Sequence, residues 1–60
     1  MPAKFEVYQD KRKKWRFRLK TANGKIIAIG EDYESKQKCL NGIRSIKKNA
    51  PAAEIKVLDG

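Results

Sequence analysis

The fold is decided by the stretch Trp15-Arg16-Phe17-Arg18-Leu19-Lys20, in which apolar and cationic residues alternate without a break. Successive side chains of a β-strand point to opposite faces of a sheet. The stretch therefore predicts a strand with one apolar face, packed on a core, and one positive face turned away from it.

The flanking residues predict two more strands. Apolar and polar residues also alternate in Phe5-Glu6-Val7-Tyr8, and the polar segment Gln9–Lys14 that follows is typical of a hairpin connection. On the other side, Asn23-Gly24 marks a tight turn into a third strand, Lys25–Ile29. The three segments together predict an antiparallel sheet.

The second hairpin has two possible registers. A two-residue loop pairs Leu19 with Ala28. A three-residue loop with a left-handed glycine pairs Leu19 with Ile27 instead, and hence Phe17 with Ile29. We predict the second register because it buries the larger side chains together.

A helix is predicted from about Lys36 to Lys48, with Ser35 as its N-cap. Apolar residues at spacings of three and four form one stripe of this helix: Cys39, Leu40, Ile43, Ile46 and Ala50. Asn49 suits a left-handed position just past the helix end, and Pro51 prevents its continuation. Alternation in Glu54–Leu58 then predicts a fourth strand, which completes an α+β domain of β-β-β-α-β order over residues 1–60.

Size and composition bear on how this domain is stabilised. A chain of 60 residues buries only about 60% of the surface that its unfolded form exposes, so an isolated copy is marginally stable. One cysteine and no histidine leave neither a disulfide within the chain nor an ordinary zinc site. Self-association is therefore expected.

The whole pattern resembles the YegP-like proteins, a family of small bacterial proteins of unknown function. The resemblance covers nearly the whole chain and rests on Phe5–Tyr8, on Trp15–Lys20 with Ala22–Ala28, and on Ser35-Lys36, Cys39, Asn41-Gly42-Ile43, Ser45-Ile46-Lys47 and Asn49-Ala50-Pro51. It implies two such units in one continuous sheet, either in tandem or as two subunits that exchange C-terminal strands. For a chain with one unit, it implies a homodimer.

The sequence offers little to catalysis. Histidine, the commonest general base, is absent, and Cys39 lies on the apolar stripe, where a buried structural thiol is expected. The carboxylates Glu31, Asp32 and Glu34 precede a helix, where a solvated loop is the expected arrangement. We therefore predict a protein that is not an enzyme and binds no cofactor or metal.

The positive charge supplies the candidate binding residues. Fifteen Lys and Arg against seven Asp and Glu give a net charge of +8, which attracts phosphate-bearing polymers. The sheet face opposite the helix is predicted to carry Ile26 and Ala28 beside its cations, and a basic hairpin tip lies at its end. The candidate polyanion-binding residues are Tyr8, Lys11, Arg12, Lys13, Lys14, Arg16, Arg18 and Lys20.

The alternative for this face is a simply solvated surface on which Glu6 pairs with Arg18 and Tyr8 lies against Arg16. Three functional hypotheses follow: a non-enzymatic homodimeric module, a nucleic-acid-binding protein and a protein-interaction domain.

No apolar run is long enough to span a bilayer, and the N-terminus has no signal-peptide pattern, so a cytoplasmic location without membrane partners is expected.

Overall fold

The computed structural model of the chain describes residues 2–59. Strands β1 (Lys4–Gln9), β2 (Trp15–Lys20) and β3 (Ile26–Ile29) form an antiparallel sheet in that order. Helix α1 (Lys36–Asn49) and a 3₁₀ turn (Ala50–Ala52) follow. The α+β class, the three strands and the helix are as the sequence predicts.

The core lies between α1 and the apolar side of the first two strands. Phe17 is 3% exposed, Cys39 0% and Ile43 8%. Around them pack partly buried side chains: Phe5, Val7, Trp15, Tyr33 and Leu40. The alternation in β2 therefore divides the sheet into an apolar and a positive side as predicted.

The two hairpins are built alike. In each, a three-residue loop ends on a residue in the left-handed region: Lys13, with φ of 64°, and Gly24, with φ of 86°. The Asp10 amide donates to the Lys14 carbonyl at 2.9 Å, and the Thr21 amide donates to the Lys25 carbonyl at 2.8 Å. The predicted loop with a left-handed Gly24 is therefore confirmed.

The register beyond this loop is not the predicted one, because β3 contains a β-bulge. Lys20 pairs with Ile26, but Leu19 then pairs with Ala28, so Ile27 has no partner on β2. Next along the strands, the Gly30 amide donates to the Phe17 carbonyl at 2.9 Å. A Cβ at Gly30 would overlap the Phe17 ring. The bulge thus brings a glycine, rather than Ile29, opposite the most buried ring of the sheet.

Helix α1 begins as expected and ends differently. The Ser35 hydroxyl accepts from the Lys38 amide at 3.1 Å, which confirms the N-cap. Asn49, however, has φ of −95° and is not left-handed, and Pro51 lies in a 3₁₀ turn that continues from the helix. Gly42 lies against the phenol group of Tyr33, which would collide with a Cβ there, so glycine lets this side chain approach the helix backbone.

The predicted fourth strand is not formed within the chain. Residues 53–59 follow the 3₁₀ turn without regular secondary structure. Ile55 is 96% exposed, Val57 87% and Leu58 81%. These apolar side chains pack against no other part of residues 2–59, although their spacing is that of a strand.

Candidate functional site

The side of the sheet turned away from α1, termed the open face, carries the predicted row of cations. Antiparallel pairing sets Lys4 beside Lys20, Glu6 beside Arg18 and Tyr8 beside Arg16. Ile26 and Ile29 lie beside the row, because β3 pairs them with Lys20 and Arg18. The bulge has thereby exchanged Ala28 for Ile29 on this face.

Glu6 is the centre of the open face. Its carboxylate accepts from Nε of Arg18 at 2.8 Å and lies 3.3 Å from Nζ of Lys20 and 3.6 Å from Nζ of Lys4. The hydrogen bond from Arg18 holds the pKa of Glu6 below its ordinary value of 4.5. The predicted pair with Arg18 is therefore present, and it belongs to a larger cluster around a single carboxylate.

Tyr8 lies against a different arginine from the one predicted. The Arg18 guanidinium carbon is 5.0 Å from the centre of the Tyr8 ring, a cation–π contact. Arg16 instead reaches the far edge of the sheet, with Nε 3.4 Å from a carboxylate oxygen of Asp32. Arg16 also donates from Nη2 to the Gly30 carbonyl at 3.4 Å, so contacts with the segment after β3, rather than with Tyr8, decide where it lies.

The basic hairpin tip, Lys11–Lys14, is tied to the segment that precedes α1. Arg12 forms an ion pair with Asp32, and Nζ of Lys14 donates to Oε1 of Glu34 at 2.7 Å. The bond from Lys14 lowers the pKa of Glu34, and the Asp32 carboxylate raises the pKa of Arg12. Two of the tip's cations thus link the first hairpin to the residues that start the helix.

Asp10 shapes this tip from within. Its carboxylate accepts from the backbone amides of Arg12 at 2.9 Å and Lys14 at 3.0 Å. Partial burial raises the pKa of Asp10, but the two amide hydrogen bonds together with the nearby Arg12 guanidinium outweigh that effect and leave the pKa below its ordinary value. The carboxylate therefore stays charged and holds the turn.

The candidate cations consequently fall into two groups. Five lie within ion-pair distance of a carboxylate: Arg12, Lys14, Arg16, Arg18 and Lys20. Lys11 and Lys13 are exposed and form no ion pair with residues 2–59. Sequence reasoning found Glu6 because its position on a paired strand was predictable, but it missed Asp32 and Glu34, which reach the hairpin only after the chain has turned back.

The remaining groups of interest are the Cys39 thiol and the side chains that could bind a metal ion. Cys39 is fully buried, and burial raises the pKa of its thiol. Between residues 2 and 59 there is no cluster of potential metal ligands and no pocket. Helix α1 is too short and too polar to cross a membrane, and this part of the chain has no other α-helix.

Sequence comparison assigns the chain to a family. A family model described as a domain of unknown function, DUF1508, matches residues 10–56. The chain belongs to the DUF1508 family. The YegP-like resemblance is thereby supported.

Relatives of this DUF1508 chain carry the same kind of name. A "UPF0339 protein" of Treponema denticola is 60% identical, over 92% of this chain and 95% of the relative. A "UPF0339 protein in ptx operon 5'region" of Stutzerimonas stutzeri is 53% identical, over 85% of this chain but 46% of the relative.

A solved structure supports the fold of the DUF1508 chain. The solution structure of a Haloferax volcanii protein superimposes with a TM-score of 0.87 at 48% identity, over 95% of this chain and 97% of that one. Because Haloferax is an archaeon, similar chains are not confined to bacteria.

Proposed function

We propose that this DUF1508 chain is a non-enzymatic module that works as a homodimer, in which residues 54–58 of each copy complete the sheet of the other. The observation that carries the proposal is the exposure of Ile55, Val57 and Leu58, at 96%, 87% and 81%. Fully burying one such side chain is worth about 1.5–3 kcal/mol. A segment with strand periodicity and three bare apolar side chains gains most from pairing with a second sheet.

The edge strand β3 is the best acceptor for that segment. Ile26, Ile27 and Ile29 are 43%, 54% and 60% exposed, and α1 contacts β1 and β2 but not β3. An edge strand also presents unpaired amides and carbonyls that template another strand. At the other edge, β1 already has Phe5 partly buried beneath α1. A partner strand therefore covers more apolar surface at β3 than at β1.

Three further observations support a two-unit assembly. The core of one copy has only three buried apolar side chains among residues 2–59, which fits the marginal stability of a chain this short. The resemblance to YegP-like proteins implies two units in one sheet. The Stutzerimonas stutzeri relative is matched over 46% of its length, which leaves room for a second unit in the same chain.

The non-enzymatic part of the proposal is supported by the state of the reactive groups. The thiol of Cys39 is buried with a raised pKa, which disfavours the nucleophilic thiolate. Glu6, Asp10 and Glu34 are engaged by cations or amides that lower their pKa, so they stay ionised and are poor proton donors at neutral pH. An unpaired thiol also fits our proposal of a reducing, cytoplasmic location.

Light scattering tests the assembly. We expect the full chain to have the mass of a dimer, and a chain ending at Ala53 to lose both the dimer and much of its stability. The double variant Ile55→Lys/Val57→Lys should also be monomeric. Because both side chains are exposed in the single copy, the substitutions remove contacts only with a partner.

The matched control is Ile55→Val/Val57→Ile, which keeps the apolar pattern and should remain a dimer. A full chain that stays monomeric over about a hundredfold range of concentration would overturn the proposal, because dimerisation follows mass action. So would a dimer that survives removal of residues 54–60.

A further inference from the structure

Helix α1 has an unbalanced charge. Its fourteen residues include five cations and no acidic residue. The five are all exposed: Lys36, Lys38, Arg44, Lys47 and Lys48. The helix alone therefore carries five uncompensated positive charges of its own, which is more than half of the net charge of +8.

None of these five cations forms an ion pair with a carboxylate of residues 2–59. Every ion pair found among residues 2–59 involves a cation of β1, β2 or the first hairpin. The open face, by contrast, is organised around Glu6, and its neighbouring cations reach Asp32 and Glu34. The least compensated positive surface is consequently the outer side of α1 and not the open face.

Helix stability does not account for this arrangement. Lys47 and Lys48 in the last turn complement the negative end of the helix dipole. Lys36 and Lys38 lie in the first turn, where a cation is repelled by the positive end of the helix dipole. An anionic ligand along the helix would offset this repulsion.

Side-chain hydrogen bonds orient one of the cations. Asn41 accepts from Nε2 of Gln37 at 3.0 Å and from Nη1 of Arg44 at 3.1 Å. The Arg44 guanidinium is thus held through one nitrogen, and its other N–H groups remain able to bind an oxyanion. Guanidinium groups bind phosphate with two parallel hydrogen bonds, which makes an oriented arginine well suited to this ligand.

The dimensions and polarity of the surface favour nucleic acid over a lipid bilayer. From Lys36 to Lys48 the helix extends about 18 Å, and duplex DNA carries one phosphate charge per about 1.7 Å of its axis, so several phosphates come within reach. A helix that lies in a bilayer surface must expose an apolar face. In α1 that face is turned inward, with Cys39 and Ile43 buried.

We infer that the outer surface of α1 binds the phosphate backbone of nucleic acid through Arg44, Lys47 and Lys48, assisted by Lys36 and Lys38. This inference is independent of the proposed dimer. It places polyanion binding on the helix side of the sheet. The open-face cations that the sequence predicts as binding residues lie on the other side. Contacts to phosphates alone give weak sequence selectivity and a strong dependence on salt.

The test compares two triple variants of the full chain by fluorescence anisotropy with labelled duplex and single-stranded oligonucleotides of about 20 nucleotides, long enough to cover the helix. The first is Arg44→Gln/Lys47→Gln/Lys48→Gln. The matched control, Lys11→Gln/Lys13→Gln/Lys25→Gln, removes the same charge from exposed cations that form no ion pair with residues 2–59. Circular dichroism and light scattering check that fold and oligomeric state are unchanged.

We expect the helix variant to lose at least about tenfold in affinity at low salt, and the control to lose much less. Each phosphate contact contributes about 0.9 to the slope of log K against log salt, so the slope should become shallower by about 2 to 3 in the helix variant. Equal losses in the two variants would overturn the inference, since they would reflect net charge alone. A loss confined to the control would assign binding to the hairpin cations Lys11, Lys13 and Lys25 and would overturn the inference.

Absence of binding to either oligonucleotide at low salt would also overturn the inference. Vesicles of phosphatidylcholine with phosphatidylserine provide the remaining comparison. Binding to these vesicles without binding to oligonucleotides would assign the surface to anionic lipid and reject nucleic acid as its ligand.

Discussion

At the scale of single residues, the two hairpins show one backbone requirement met in two ways. Gly24 and Lys13 both have positive φ, at 86° and 64°, and both end a three-residue loop. Glycine adopts this conformation without strain, whereas an L-residue with a Cβ does so at a cost of about 1–2 kcal/mol. The first hairpin is therefore strained at Lys13, and the hydrogen bonds of Asp10 help to maintain it.

Replacing Lys13 by glycine should consequently stabilise the protein. We expect Lys13→Gly to raise the free energy of unfolding by about 0.5–1 kcal/mol, which is the relieved strain less the larger unfolded-state entropy of glycine. Urea denaturation measures the change. Lys13→Gln removes the same charge without relieving the backbone, so equal stabilisation by both variants would contradict the explanation.

At the scale of the elements, the β-bulge fits β3 to the core. A regular hairpin would place Ile29 opposite Phe17, and the bulge replaces it with Gly30, above which the Phe17 ring lies. The ring also stacks on Tyr33 at 6.2 Å and meets Phe5 edge-on at 5.7 Å. One glycine thus allows three aromatic rings to meet beneath the helix.

Adding a methyl group at this point should force the ring aside. We expect Gly30→Ala to lower the free energy of unfolding by about 1–3 kcal/mol, the usual effect of overpacking a core. Urea denaturation again provides the measurement. In the background Phe17→Leu, which removes the ring, the same substitution should be less damaging, and an undiminished loss there would disprove the proposed contact.

The strands and the helix differ in how accurately the sequence predicts them. Alternation and turn residues locate β2 to the residue, and the helical stripe and Ser35 locate α1 to within one residue, because these signals are local. The bulge in β3 was missed because it depends on the shape of Phe17 across the sheet. Likewise, Glu6 was found from its register, whereas the partners Asp32 and Glu34 depend on how a loop folds back.

At the scale of the whole molecule, fifteen cations are arranged around few carboxylates. Glu6, Asp10 and Glu34 each have a lowered pKa in the folded chain. A depressed folded-state pKa contributes stability above the unfolded-state pKa, and that stability is lost as the pH falls through the folded-state value. Protonation also removes the negative charges that separate neighbouring cations, so repulsion grows in acid.

Stability should therefore decline as the pH falls below the ordinary glutamate pKa of 4.5. We expect the urea midpoint to be lower in acid than at neutral pH. The variant Glu6→Gln should be less stable than the parent at neutral pH and should lose less on acidification. Equal midpoints for the parent chain under both conditions would show that these carboxylates do not contribute to folding.

The single cysteine lies where helix and sheet meet, at 0% exposure. Oxidants and alkylating agents react with an accessible thiolate, and here both access and ionisation are suppressed. The chemistry of this sulfur is consequently governed by the opening of the fold and not by the redox potential around it. A copy modified at Cys39 has already been open, and the added group then hinders α1 from closing again over the rings of β1 and β2.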